Sequence, residues 1–152
     1  MRIRIGIDPG CTGALVALDG DTPIEWLIMP TLKIGTNTRV NGAKVAEFLR
    51  QFPSAHVVME LVGIMPKQGA GSAFTFGHAA GTVQGLVQGL DLPMTLATPQ
   101  RWKKAAGLIG TEKDAARSTA ILLWPKWREL DAKIKGQALA DAALIARFGM
   151  PA

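Results

Sequence analysis

One cysteine, Cys11, stands in 152 residues. That scarcity excludes an intramolecular disulfide framework and a cysteine-built zinc site, and it favours a reducing compartment, the cytoplasm by default. No uninterrupted apolar run reaches 18 residues, so a membrane-spanning helix is not expected. The opening Met1-Arg2-Ile3-Arg4-Ile5-Gly6-Ile7-Asp8 enters a strand pattern without the apolar stretch and cleavage site of a secretory leader, and neither export nor membrane attachment is expected. Acidic residues are sparse between positions 101 and 135. Four of them (Glu112, Asp114, Glu129, Asp131) face nine basic residues (Arg101, Lys103, Lys104, Lys113, Arg117, Lys126, Arg128, Lys133, Lys135). The rest of the chain is balanced at eight against eight, so the whole net charge of +5 lies in that one segment. A concentrated cationic stretch fits a polyanion, nucleic acid before others, although the same side chains could simply solvate helix faces.

What the chain does have is enough apolar material for one core. At 48% hydrophobic and 19% charged, residues 1–152 suit a single domain that needs no covalent or metal staple. Ile3, Ile5 and Ile7 alternate with Arg2, Arg4 and Gly6 and stop at Asp8-Pro9-Gly10, a strand running into a turn. Ala14–Leu18 and Ile24–Met29 continue an antiparallel meander. Helical spacing of Val45, Phe48, Leu49 and Phe52 predicts a helix over 41–52, and His56–Glu60 reads as the next strand. Residues 61–72, with Gly63, Pro66, Gly69 and Gly71, read as a mobile loop. A helix is predicted from Ser72 to Leu90, where Gly77, Gly81, Gly85 and Gly89 recur every fourth residue. Each glycine weakens a helix by about 1 kcal/mol, which close packing of that ridge on the sheet would offset. Pro93–Ala97 reads as a short strand, and Thr98-Pro99 as the capped start of a helix holding Trp102. Thr111–Asp114 resembles a capping box before a helix ending at Trp124, a basic connector spans 125–136, and a last helix covers Gln137–Phe148.

Three acids stand where solvation alone would not put them. Asp8 and Glu60 end apolar strands, and Asp141 shares the apolar face of the last helix with Leu144, Ile145 and Phe148. Each has an ordinary alternative: closing a turn, pairing with a lysine, or capping a helix. Neighbouring strands with the last helix packed across them would instead bring all three into one anionic pocket, which needs cations to be stable. Oxygen donors without Cys or His favour Mg²⁺, with Mn²⁺ as substitute, over zinc. Two such ions serve in-line phosphodiester hydrolysis, and an acidic pocket in a basic surround reads as a nuclease.

Taken together, Gly6-Ile7-Asp8-Pro9-Gly10 with Gly13, Val58-Met59-Glu60, Phe76–Gly81, Thr98–Lys104, Lys113–Arg117 and Ala140–Ala146 resemble the RuvC-type Holliday junction resolvases, in their compact bacterial and bacteriophage form. The likeness runs nearly end to end. It implies an α/β, ribonuclease-H-like fold: a five-stranded mixed sheet, its first three strands antiparallel, flanked by helices. It also implies a homodimer that binds branched DNA, four-way junctions in particular, in a bacterial cell or phage-infected host, and nicks two strands symmetrically. Asp8, Glu60 and Asp141 would then hold the metal, with Lys113 beside the scissile phosphate. Arg101, Lys103, Lys104, Lys113 and Arg117 would meet DNA backbone. The likeness further makes Phe74 or Phe76 an aromatic that prises bases apart, core packing being the more ordinary job for one of them; the helix from Phe74 to Leu90 is our leading candidate for the dimer contact. Relatives carry a further acid or His three or four residues before the last Asp. Here those positions hold Ala138 and Gln137, so a fourth metal ligand is either the Gln137 carbonyl oxygen, Asp131 from the connector, or missing, with reduced activity.

Rival functions follow from the same residues. A non-catalytic or crippled binder of branched DNA would keep the cationic surface and lose the cutting, and an RNA-directed nuclease of the same fold would keep both. The turn from Asp8 to Gly13 also resembles the phosphate loop of actin-like ATPases, but those need two such domains around a nucleotide, which this length does not supply.

Overall fold

The computed structural model describes residues 2–151. The first three strands, β1 (Ile3–Asp8), β2 (Ala14–Asp19) and β3 (Thr22–Ile28), form the expected antiparallel meander, followed by a hairpin of β4 (Thr31–Ile34) and β5 (Asn37–Val40). Helix α1 (Gly42–Arg50) leads into β6 (His56–Glu60), α2 (Ala70–Gly89) and β7 (Met94–Ala97). Two shorter helices, α3 (Pro99–Ala105) and α4 (Ala115–Leu123), and a 3₁₀ turn (Arg128–Asp131) precede α5 (Lys133–Phe148). The main sheet runs β3-β2-β1-β6-β7, with β6 and β7 parallel to β1.

Strand parity divides the core in two. Ile5, Ile7, Val57 and Met59 point to the face covered by α1 and α2, where they meet Val45, Leu49, Val83 and Val87. The opposite parity gives Gly6, Asp8, Val58 and Glu60, on the face covered by α3, α4 and α5. Gly6 is what lets α5 lie close: a Cβ there would collide with the carbonyl of Ala142 and with Ala146. Asp141, the residue before Ala142, is thereby brought down onto β1.

Two local expectations are corrected and one unpredicted element is present. The glycine ridge of α2 does not pack on the sheet. A Cβ built at Gly77, Gly81, Gly85 or Gly89 meets nothing within 4 Å, because α2 buries Ala79, Ala80, Val83 and Val87 on its other side. No capping box forms at Thr111. Its hydroxyl donates to the Leu108 carbonyl at 2.7 Å, while Asp114 takes the N-cap position of α4 without a side-chain cap bond and pairs with Arg117. The hairpin over 31–40 lies where no element was predicted, although Gly35 at φ 63°, between the paired residues Ile34 and Asn37, is the first central residue a tight hairpin turn favours. The cap at Thr98 is as expected, its hydroxyl accepting from the Arg101 N–H at 3.2 Å.

Candidate functional site

Parallel pairing of β1 with β6 places their C-terminal ends on one edge. Ile7 pairs with Met59, so the next residues, Asp8 and Glu60, leave the sheet side by side. Gly13 clears the space beside them, since a Cβ there would run into the Asp8 carbonyl and crowd its carboxyl carbon at 3.0 Å. From above, α5 adds Asp141. Asp8, Glu60 and Asp141 line one cavity of about 390 Å³ together with Trp102, Lys103, Lys113 and Gln137. The predicted trio therefore converges from three elements far apart in sequence.

Burial and neighbouring charge both bear on Asp8 and Asp141. The Asp8 carboxyl is pushed from 3.8 up to about 6, first by burial and then by the charge of Glu60, against the pull of the Gly10 N–H, Lys103 and Lys113. Asp141 rises further, to about 7, again by burial first and then by Asp8 and Glu60, with the Gln137 amide and Lys103 opposing. Two neutral donors share the load. The Trp102 indole donates to Glu60 Oε2 at 2.7 Å, and the Gln137 amide donates to Asp141 Oδ1 at 3.0 Å.

The donor chemistry fits a hard divalent cation. The cluster offers oxygen ligands only, and burial first, then the neighbouring carboxylates, raises Asp8 and Asp141 against the pull of Lys103, an unfavourable state that a bound cation would relieve. Among the described residues, however, no three acidic, His or Cys side chains stand close enough to cage an ion as they are.

The remaining sequence expectations distribute unevenly. Lys103, though exposed, joins Lys113 at the carboxylates, and its ammonium lies over the Trp102 ring, 5.5 Å from the centroid. Lys104 is exposed. Arg101, which is exposed, and Arg117, which is half-buried, are bonded within the chain: Arg101 donates to the carbonyls of Leu96 and Gly149, and Arg117 to Asp114 and the Leu130 carbonyl. Asp131 pairs with Arg128 at 2.8 Å. Phe74 is 62% exposed, flanked by the Arg39 guanidinium at 5.5 Å and the His78 ring at 5.9 Å, whereas Phe76 leans over Gly10. Sequence reasoning missed Trp102 and Arg39. Neither has a local signal, because each acts on a residue more than thirty positions away in the chain.

The sequence matches no protein-family model and no curated protein sequence. The fold, in contrast, matches solved structures. One is the RuvC of T. thermophilus in complex with a Holliday junction substrate, with a TM-score of 0.69 and 21% identity, covering 96% of this chain and 90% of that one. Another Thermus thermophilus RuvC structure matches with a TM-score of 0.60 and 19% identity, over 95% and 90% of the two chains. The chain has the α/β, ribonuclease-H-like fold of those proteins, with the five-stranded sheet and antiparallel first strands expected from the sequence. Among the described residues no helix is long and apolar enough to cross a membrane.

Proposed function

We propose that this protein is a divalent-metal-dependent endonuclease that resolves four-way DNA junctions by paired, symmetric nicks. The observation that carries the reading is the meeting of Asp8, Glu60 and Asp141 at one sheet edge beside Lys103 and Lys113. Asp8, Glu60 and Asp141 would hold Mg²⁺ or Mn²⁺, which when bound activate water and stabilise the leaving oxygen of a phosphodiester. Asp8 and Asp141 give up the protons that their raised pKa values favour as they take up a cation. Lys113 and Lys103 supply fixed positive charge toward the reacting phosphate. Phe74, exposed and stacked against Arg39, offers a base an aromatic face at the branch point. Exposed Lys104 extends the cationic surface along a DNA arm.

Two symmetric cuts need two such sites, which we assign to a homodimer. The open glycine face of α2 lets another backbone approach closely and is the surface we assign to that contact. The likeness to a RuvC solved with its junction substrate supports branched DNA as the partner.

The test is incubation with a four-way junction and with linear duplex, in Mg²⁺, in Mn²⁺ and in chelator, for the intact protein and Asp8→Asn. Paired nicks confined to the junction, lost in chelator and in Asp8→Asn, are the expected result. Cutting that survives Asp8→Asn refutes the site. A second reading, a junction binder with weak or no cutting, is favoured by one contact: the amide of Gln137 donates to Asp141 where relatives are expected to carry an acid or His. Under it, junctions are bound but left whole, and Gln137→Asp or Ala138→Asp restores cutting.

A further inference from the structure

Trp102 is almost fully buried, at 1% exposed, and its place is fixed by α3, whose start is set by the Thr98 cap and Pro99. The ring packs in the core formed with α5, so its N–H has one direction to point. That direction is Glu60 Oε2, 2.7 Å away. One lone pair of Glu60 Oε2 is thereby held by a donor that cannot swing aside, which fixes the carboxylate's orientation and leaves the other oxygen the freer of the two to meet a cation. The same ring carries the Lys103 ammonium over its face, so a single side chain orients a carboxylate by its edge and a lysine by its surface.

We propose that Trp102 is a positioning residue that holds Glu60 as a one-oxygen ligand and so makes the site select a small octahedral cation over calcium. Calcium takes six to eight oxygens and commonly grips a carboxylate by both, whereas Mg²⁺ and Mn²⁺ accept single oxygens in tight octahedra and keep several waters. A carboxylate pinned through one oxygen by an immobile N–H cannot turn freely to present both oxygens equally to one ion, which suits the second kind of ion. This inference rests on the metal-nuclease reading above, and it concerns which ion is held rather than whether DNA is cut.

The experiment titrates the intact protein without DNA, by calorimetry, with Mn²⁺ and separately with Ca²⁺, for the natural chain and Trp102→Phe. Phenylalanine keeps an aromatic ring in the core and beneath Lys103 while removing the donor. The expected result is a loss of about tenfold in Mn²⁺ affinity, the usual scale for removing a group that orients a ligand, with Ca²⁺ affinity held or raised. Equal losses for both ions, or none, overturn it. Should Trp102→Phe fail to fold, the assigned indole N–H resonance of Trp102 in the natural chain decides. Retention of a strongly hydrogen-bonded, exchange-protected signal on adding Mg²⁺ supports the proposal, and its release to a free indole position overturns it. A natural chain that binds neither ion sinks the metal-nuclease reading together with this one. Binding that is indifferent to Trp102→Phe sinks this one alone.

Discussion

Asp8 and Asp141 keep protons at pH values where an ordinary aspartate has shed them, and this ties folding to pH in a direction opposite to that of a salt-bridged carboxylate. A carboxyl raised from 3.8 to about 6 or 7 binds its proton more tightly in the folded chain than in the unfolded one. Its contribution to stability is therefore full at low pH and is lost as pH climbs through 6 and 7. In chelator, Asp141→Asn should melt several degrees above the natural chain at pH 8 and no higher than it at pH 4, because the amide keeps a bond to Gln137 and removes the like charge. Thermal melts across that range read the difference, and a gain at pH 4 equal to that at pH 8 would mean the cluster is not the cause. Cation affinity should rise over the same interval, with proton release measurable in buffers of different ionisation enthalpy. The three carboxylates were legible in the sequence because each breaks a local pattern, an acid ending an apolar strand or lying on an apolar helix face. Their partners were not. Trp102 reads as a core tryptophan and Gln137 as a substituted ligand until tertiary packing aims their N–H groups at Glu60 and Asp141.

At the scale of elements, the site depends on how closely α5 crosses β1, and Gly6 sets that distance. Gly6→Ala puts a methyl group against the carbonyl of Ala142 and against Ala146, backbone and side chain with little room to yield. It should cost about 1–3 kcal/mol in denaturant unfolding and move Asp141 away from Asp8, lowering cation affinity as well. Glycines of α2 predict the opposite sign. With nothing within 4 Å of a Cβ at Gly81, Gly81→Ala should stabilise the isolated subunit by about 1 kcal/mol. The same methyl group would weaken a dimer seated on that face, so unfolding and light scattering should move in opposite directions. Periodicity predicted the helix and strand order because both patterns repeat within a few residues. It could not say which side of α2 the glycines face: Ala79, Ala80, Val83 and Val87 interleave with them, and only contact with the sheet decides which set is buried. The short hairpin over 31–40 escaped for a related reason, since it gives the core only Val40 and leaves Leu32 and Ile34 exposed, with a single turn glycine as its signal.

Over the whole molecule, the cationic segment divides by residue type, and that division predicts how DNA is held. The three arginines of 101–135 are bonded to other groups of the chain, Arg101 and Arg117 to backbone carbonyls and Arg128, from an exposed position, to Asp131. The lysines at 103, 104, 113, 126, 133 and 135 are exposed. Lysine is a compact, strongly hydrated charge without the planar fork that reads base edges, so a lysine surface attracts phosphates and carries little sequence information. Discrimination then has to come from the shape of the branched substrate rather than from its bases. Junction affinity should fall steeply with salt, each phosphate contact contributing about 0.9 to the slope of log affinity against log salt concentration. Replacing Lys126, Lys133 or Lys135 singly by Ala should reduce that slope by up to about one where the lysine meets a phosphate, with similar losses for junction and linear duplex. Arg101→Ala should leave the slope nearly unchanged and lower the melting temperature, because the guanidinium ties α3 to the end of α5. A salt titration that finds the arginine, and not the lysines, setting the slope would reverse the assignment of the DNA-facing surface.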